Sequence, residues 1–337
     1  MVTKRKLGTK IVMVILGVLL LLAPFTGCAA EAPKKTVIFG EGDWDSINIH
    51  NGIAAFILEH GYGYQIEYVY GSEYPLAIGV IGGDIDVVME GWMQNIPETY
   101  DPPIADGTLI DAGACFPESW QGWVIPRYVV EGDAERGIEP MAPGLISVSD
   151  LPEYWELFKD PEVPTKGRIY DAIPGWRAAD NTAMKLVSEG LEDYYVLFNP
   201  GSGYALAASM EGAYLKGKPW LGYYWEPSVE MGRLDMYKLE DEPYDAEVWN
   251  EDCSTAFPAT PVDILINGEF AERAPVVVEF LREYTTTTEL TQALMAYMVD
   301  NELDAKGAAL YFLREYESIW TKWVSSDVAS KVRAALD

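Results

Sequence analysis

At 337 residues, 49% of them hydrophobic and 23% charged, the chain has the composition of a folded protein with room for two domains or lobes. It shows no low-complexity tract and no repeat of solenoid period. Its 53 acidic residues against 24 basic ones exclude nucleic acid as a partner, because binding phosphates requires the opposite sign.

Lys4, Arg5, Lys6 and Lys10 precede an apolar run over residues 11–23, shorter than the ~18 residues that a membrane-spanning helix needs. Phe25-Thr26-Gly27-Cys28 comes next. This pattern predicts a secretory signal over residues 1–27, so the mature chain is even more acidic. Small residues before Cys28 resemble a bacterial lipobox, with Phe25 where leucine is usual, and predict a lipidated Cys28 followed by a polar tether over residues 28–35. The expected location is extracytoplasmic, on the outer face of the cytoplasmic membrane.

Residues 36–40 (TVIFG) read as a buried strand. Asp43-Trp44-Asp45-Ser46 then offers cap residues for a helix running to about residue 60, with Ile47, Ala54, Ile57 and Leu58 on one apolar side and Gly61 as its stop. Residues 66–70 are expected as a strand, 75–81 as a short helix ended by Gly82-Gly83, and 85–89 as a third strand. A βαβαβ order favours a parallel sheet flanked by helices, with ligands gathering at the carboxyl ends of the strands. Trp44 and Trp92 each lie just past such an end.

Residues 127–166, rich in Pro, Gly and charge, mark a change of unit. Beyond them the pattern predicts a strand at 168–172, a helix over 178–189, a loop at 199–203, a helix to about 216 and a strand at 219–225. A strand at 262–266 and helical segments over 269–284, 289–299 and 304–323 complete the chain. The expected organisation is one lobe over 36–126, a second over 127–229, and a return to the first over 230–337.

Three tryptophans stand at expected turns: Glu90-Gly91-Trp92-Met93, Pro174-Gly175-Trp176-Arg177 and Tyr224-Trp225-Glu226-Pro227. Gly or Pro beside each one bends the backbone and lets the indole project. Aromatic faces converging from separate loops present negative quadrupoles, which suit a quaternary ammonium group because it has no hydrogen bonds to donate. Ordinary packing is the competing account for any single ring, since the chain holds 11 Trp.

Other chemistry finds little support. His50 and His60 are the two histidines, ten residues apart and too distant along one helix to share a metal, so no metal and no cofactor is expected. No GxSxG elbow accompanies them, and Gly201-Ser202-Gly203 imitates a dinucleotide loop without a strong strand before it. A rival from another class is a secreted hydrolase using paired carboxylates such as Glu90 and Glu226.

Beyond its leader the whole chain resembles the substrate-binding lipoproteins of glycine betaine/choline ABC transporters. The resemblance is carried, in order, by Gly83-Asp84-Ile85-Asp86 leading to Glu90-Gly91-Trp92-Met93, Gly122-Trp123-Val124-Ile125-Pro126, residues 146–161 (ISVSDLPEYWELFKDP), Pro174-Gly175-Trp176, Lys218-Pro219 through Trp225-Glu226-Pro227, and Ala271-Glu272-Arg273-Ala274-Pro275. It implies an α/β, two-lobe type II periplasmic-binding-protein fold, each lobe a mostly parallel sheet flanked by helices, with the ligand in the interlobe cleft. It also implies a cage of Trp92, Trp176 and Trp225, with Trp44 at a further cage position and Trp120 near another. Trp92 then lies on one lobe and the other two rings on the second, so the cage is complete when the lobes close.

In betaine-binding relatives the carboxylate is held just after the second cage Trp, which here implies the N–H groups of Arg177 and Ala178. These open a helix and are donors without helical partners, and the Arg177 guanidinium would add a charged contact. Relatives often carry a His shortly after the first cage Trp. Here Met93-Gln94-Asn95-Ile96-Pro97 departs from that pattern, leaving Asn95 or Gln94 as the donor. The implied function is capture of glycine betaine for delivery to ABC permease subunits, with choline, carnitine and proline betaine as alternatives. Cys115 and Cys253 both fall in the segments assigned to the first lobe, so they are expected near enough to pair.

Overall fold

The computed structural model describes residues 35–259 and 261–337, so the expected signal segment, Cys28 and nearly all of the tether lie outside the described residues. Two five-stranded sheets organise the chain. The first contains β1 (Thr36–Glu41), β2 (Gln65–Tyr70), β3 (Val87–Gly91), β4 (Leu109–Phe116) and, late in the sequence, β10 (Val262–Asn267), in the order β2-β1-β3-β10-β4. The second holds β5 (Trp120–Pro126), β6 (Gly167–Tyr170), β7 (Tyr195–Phe198), β8 (Gly222–Glu226) and β9 (Met236–Lys238), in the order β7-β6-β8-β5-β9.

The βαβαβ start is present as expected, with β1 parallel to both β2 and β3. Both sheets are more mixed than the expectation: β10 runs antiparallel to β3 and β4, and β5 antiparallel to β8 and β9. The reason lies in the crossovers. A strand that returns from the other lobe enters from the opposite end and is free of the right-handed helical connection that enforces parallel pairing. The same strands move the lobe boundaries. Trp120–Pro126 and Met236–Lys238 pair in the second sheet, although residues 36–126 and 230–337 were assigned to the first lobe.

Helix α1 (Asp45–Phe56) starts at Trp44 as its cap residue and buries Ile47, Ile49, His50 and Ile53. It does not stop at Gly61. A π-helical stretch, Ile57–Tyr62, carries it on to left-handed Gly63 (φ 77°). Gly61 has another role: a Cβ there would lie 2.6 Å from Val328 of the last helix, so its absence lets the two segments meet. That last helix, Ser326–Leu336, lies beyond the segments expected as helical. His50 is a core residue, with Nδ1 bonded to the Tyr284 hydroxyl at 2.7 Å and Nε2 to Thr291 at 3.2 Å. Burial pushes its imidazole down to about 3. His60 packs against Phe56 with the rings tilted at 46°.

The expected cysteine pair is corrected. Cys115 and Cys253 are both free and buried. Cys115 sits on β4 of the first sheet, whereas Cys253 follows the helix Ala246–Asp252, and its carbonyl accepts from Lys185 of the helix Arg177–Ser188 beside the second sheet. The chain has not yet returned to the first lobe at residue 253, so the premise of the pairing fails.

Candidate functional site

Four segments bring tryptophan to one place. Trp44 caps α1 in the turn after β1, and Trp92 follows β3 directly. Helix α2 spans Glu73–Gly82, and Trp176 caps α3 (Arg177–Ser188). Trp225 differs from expectation: it belongs to β8 rather than a turn, opposite Gln121 of β5. Alternation along β8 puts Tyr223 on the same face as Trp225, and residues directly opposite in an antiparallel pair share a face, which adds Gln121.

Trp44, Trp92, Trp176, Trp225 and Tyr223 line one cavity, together with Glu73, Asn95, Gln121 and Ala178. The four indoles are between 6% and 9% exposed. Trp176 stands edge-on to Trp225, with centroids 4.9 Å apart and planes at 87°, and edge-on to Trp44 at 6.3 Å and 87°. Such perpendicular contacts direct the positive edge of one ring at the negative face of another and build a box from aromatic walls.

Two walls are electrically tuned. The Trp44 indole N–H donates to Glu90 at 2.7 Å, and the Trp176 N–H donates to Asp43 at 3.0 Å. A carboxylate accepting from an indole N–H pushes electron density into the ring and deepens the negative potential on its face, the potential that attracts a cation. Asp43 and Glu90 are both buried, and burial raises the carboxyl pKa of each, for Glu90 to about 7.

The remaining wall is polar and acidic. Glu73, at the start of α2, accepts from the backbone N–H of Arg177 at 2.8 Å and from the Asn95 amide at 3.1 Å. Asn95 exchanges amide hydrogen bonds with Gln121 at 3.0 and 3.3 Å, and Gln121 also accepts from the Tyr223 hydroxyl at 2.7 Å. Desolvation pushes Glu73 up to about 7 despite its donors and the nearby Arg177 charge.

The structure thus brings Trp44, Trp92, Trp176, Trp225, Asn95 and Ala178 together and leaves two expected residues out. Trp120 packs against Gly122 with the Lys238 ammonium 4.6 Å from its ring, away from the cavity lining. The Arg177 guanidinium turns to Glu98 at 3.0 Å and Asp180 at 3.4 Å, one-third exposed. Only its backbone N–H reaches the box. Of the acids considered as a hydrolytic pair, Glu90 accepts from Trp44 and Glu226 pairs with Lys238 at 2.6 Å. The apparent dinucleotide loop has a packing role: a Cβ on Gly203 would press on the Asp43 carbonyl at 2.9 Å and on the Trp176 ring at 3.1 Å.

Glu73, Gln121 and Tyr223 were missed. A signal existed for Glu73, which lies just past the carboxyl end of β2, the same rule that singled out Trp44 and Trp92. None existed for the other two, which are interior strand residues whose facing depends on register.

The family described as the substrate-binding domain of ABC-type glycine betaine transport systems matches residues 35–315. Comparison with curated proteins yields no match. Among solved structures, the glycine betaine/L-proline-binding protein from Borrelia burgdorferi is 18% identical at a TM-score of 0.70, covering 88% of this chain and 100% of its own. An ABC-transporter choline binding protein in complex with choline is 18% identical at 0.71, covering 90% and 98%. A lactococcal protein in its closed-liganded conformation with glycine betaine is 16% identical at 0.68, covering 87% and 100%. These likenesses establish the two-lobe periplasmic-binding fold.

Proposed function

We propose, from the premise that the chain belongs to the family of substrate-binding domains of ABC-type glycine betaine transport systems, that its tryptophan box captures a small quaternary ammonium solute and presents it to permease subunits. The family is one of transport components rather than enzymes. The observation that carries the choice of solute class is the arrangement of Trp44, Trp176 and Trp225 at right angles, with two of the indoles bonded to buried carboxylates. A methylated ammonium has no N–H to satisfy, so it fits the aromatic walls of the enclosure, against which the N–H groups of a primary amine would find no acceptor.

The energetics are adequate. At ~2 kcal/mol for each desolvated cation–π contact, three or four rings approach the ~8 kcal/mol of micromolar binding before association costs and polar contacts are added. Hydrogen bonds cross between the two sheet units next to the box, among them Trp176 to Asp43, Arg177 N–H to Glu73, the amide pair of Asn95 and Gln121, and the Tyr74 N–H to the Gly175 carbonyl at 2.9 Å. Ligand and closure thus support the same contacts, which makes occupancy legible to a transporter.

Residue 28 supplies the remaining element of the reading. A lipidated Cys28 would hold the receptor at the outer face of the membrane, where the permease is. Cys28→Ser should release the protein into the soluble extracytoplasmic fraction with its binding intact. The central test is isothermal titration of the mature protein with glycine betaine, choline, glycine and ethanolamine. Binding of the two methylated ligands and neglect of the two unmethylated ones is expected, and equal binding of glycine and glycine betaine would refute the box.

A further inference from the structure

The place expected to hold a ligand carboxylate already holds one of the protein's own. Arg177 is the first residue of α3, and its N–H points to Glu73 at 2.8 Å across 104 residues of sequence. The second carboxylate oxygen of Glu73 is held by Asn95, the residue standing in for the histidine of relatives. Two of the donors that the resemblance assigned to the ligand, the Arg177 N–H and the Asn95 amide, are therefore engaged by a buried side chain that itself lines the cavity.

We propose that Glu73 is the specificity-determining residue of this box, acting as a resident counter-anion that selects a quaternary ammonium alcohol of the choline type over a quaternary ammonium carboxylate. The inference rests on the box being a quaternary ammonium site. A cationic alcohol and the Glu73 carboxylate neutralise each other inside the enclosure, and the ligand hydroxyl is a donor for an acceptor-only group. A zwitterion brings a second carboxylate into the same low-dielectric space. It must displace Glu73 from the Arg177 amide and Asn95, or leave two like charges buried together, and either course costs affinity.

The surroundings of Glu73 reinforce this. Asp43 adds negative charge, and the Tyr100 and Tyr223 hydroxyls lie near enough for Glu73 to raise their pKa values. Among the described residues the Arg177 guanidinium is the cation that lowers the Glu73 pKa, and it is shared with Glu98 and Asp180. Glu90, behind Trp44 and 4.0 Å from His50, is a second buried carboxyl pushed up to about 7. A bound cation stabilises the ionised form of Glu73, so choline should release protons on binding near neutral pH and bind more tightly as pH rises through ~7. Glycine betaine should show the opposite trend, since a protonated Glu73 repels it less.

The experiment is titration calorimetry of choline and glycine betaine on the mature protein and on Glu73→Gln, each between about pH 6 and about pH 8 around the Glu73 midpoint. The unmodified protein should prefer choline. Glu73→Gln, nearly isosteric and still an acceptor, should weaken choline by roughly 10- to 100-fold while leaving glycine betaine unchanged or tighter. Any pH dependence that persists in the variant belongs to the other carboxyls that burial raises around the box, Glu90 and Asp171 to about 7 and Asp43 upward, and the opposed trends of the two ligands should disappear. Tighter betaine than choline in the unmodified protein, or equal weakening of both by the substitution, overturns the role of Glu73 while leaving the box. Failure of both ligands to bind the unmodified protein overturns the box and this inference with it. The pH series on the unmodified protein decides the matter even if the variant folds poorly, because parallel trends for the two ligands also overturn it.

Discussion

The indole of Trp176 donates to the carboxylate of Asp43 at 3.0 Å, joining a residue that caps a helix beside the second sheet to one in the turn after the first strand of the first sheet. One hydrogen bond therefore does two things. It polarises an aromatic wall and clasps the two units around the cavity. Asp43→Asn keeps the shape and weakens both effects, so quaternary ammonium affinity should fall by roughly tenfold, in line with ~1.5 kcal/mol for a charged hydrogen bond. Titration calorimetry would show it. An unchanged affinity would separate Asp43 from ligand capture.

Trp225→Ala and Trp120→Ala should part company. Trp225 walls the cavity and touches Trp176, so its removal should cost at least ~2 kcal/mol of ligand affinity. Trp120, half-buried beneath Lys238 and away from the lining, should leave affinity within about 0.5 kcal/mol. Comparable losses for the two would place Trp120 back in the site.

Arg177→Ala should leave glycine betaine binding nearly unchanged and weaken choline only modestly near neutral pH, through the small rise in the Glu73 pKa that loss of the charge brings. Its guanidinium engages Glu98 and Asp180 at the surface, where such pairs contribute ~0–1 kcal/mol, and its backbone N–H survives the substitution. A selective loss of betaine binding would restore the side chain as a carboxylate anchor.

Glu90 should make stability depend on pH. Its carboxyl is pushed up to about 7 by burial, against an ordinary value of 4.5, so the native state holds this proton more tightly than the unfolded one. The resulting stabilisation is fully present below about 4.5 and is lost as pH rises to about 7. Glu90→Gln should flatten that part of a plot of denaturation midpoint against pH. His50 works in the opposite sense: buried neutral and held down to about 3, it costs stability as pH falls from about 6.5 toward 3.

Denatured, unreduced protein should present both Cys115 and Cys253 to a thiol reagent. In the native state both should react slowly, since burial raises the pKa of each thiol and little thiolate forms. Absence of the two thiols after denaturation would mean that the pair is oxidised after all.

What could be read in advance is what the chain encodes locally. Trp44, Trp92 and Trp176 were legible because a strand end, a glycine or a helix cap positions each of them within a few residues of sequence. The βαβαβ start and most helices were legible for the same reason, through apolar periodicity and cap residues. Tertiary structure alone decided the rest. Trp225, expected in the cage but at a turn it does not occupy, and Tyr223 face the cavity because β8 pairs antiparallel with β5 in a register that sets Gln121 opposite Trp225, and Trp120, the first residue of β5, is carried off to Lys238. Glu73 meets Arg177 because two units fold toward each other, an encounter between residues far apart in the chain that leaves no trace in the spacing of either. The sequence by itself determined the aromatic character of the site. Its acidic end was decided by long-range closure, because the environment of a buried charge depends on every segment packed around it rather than on its neighbours along the chain.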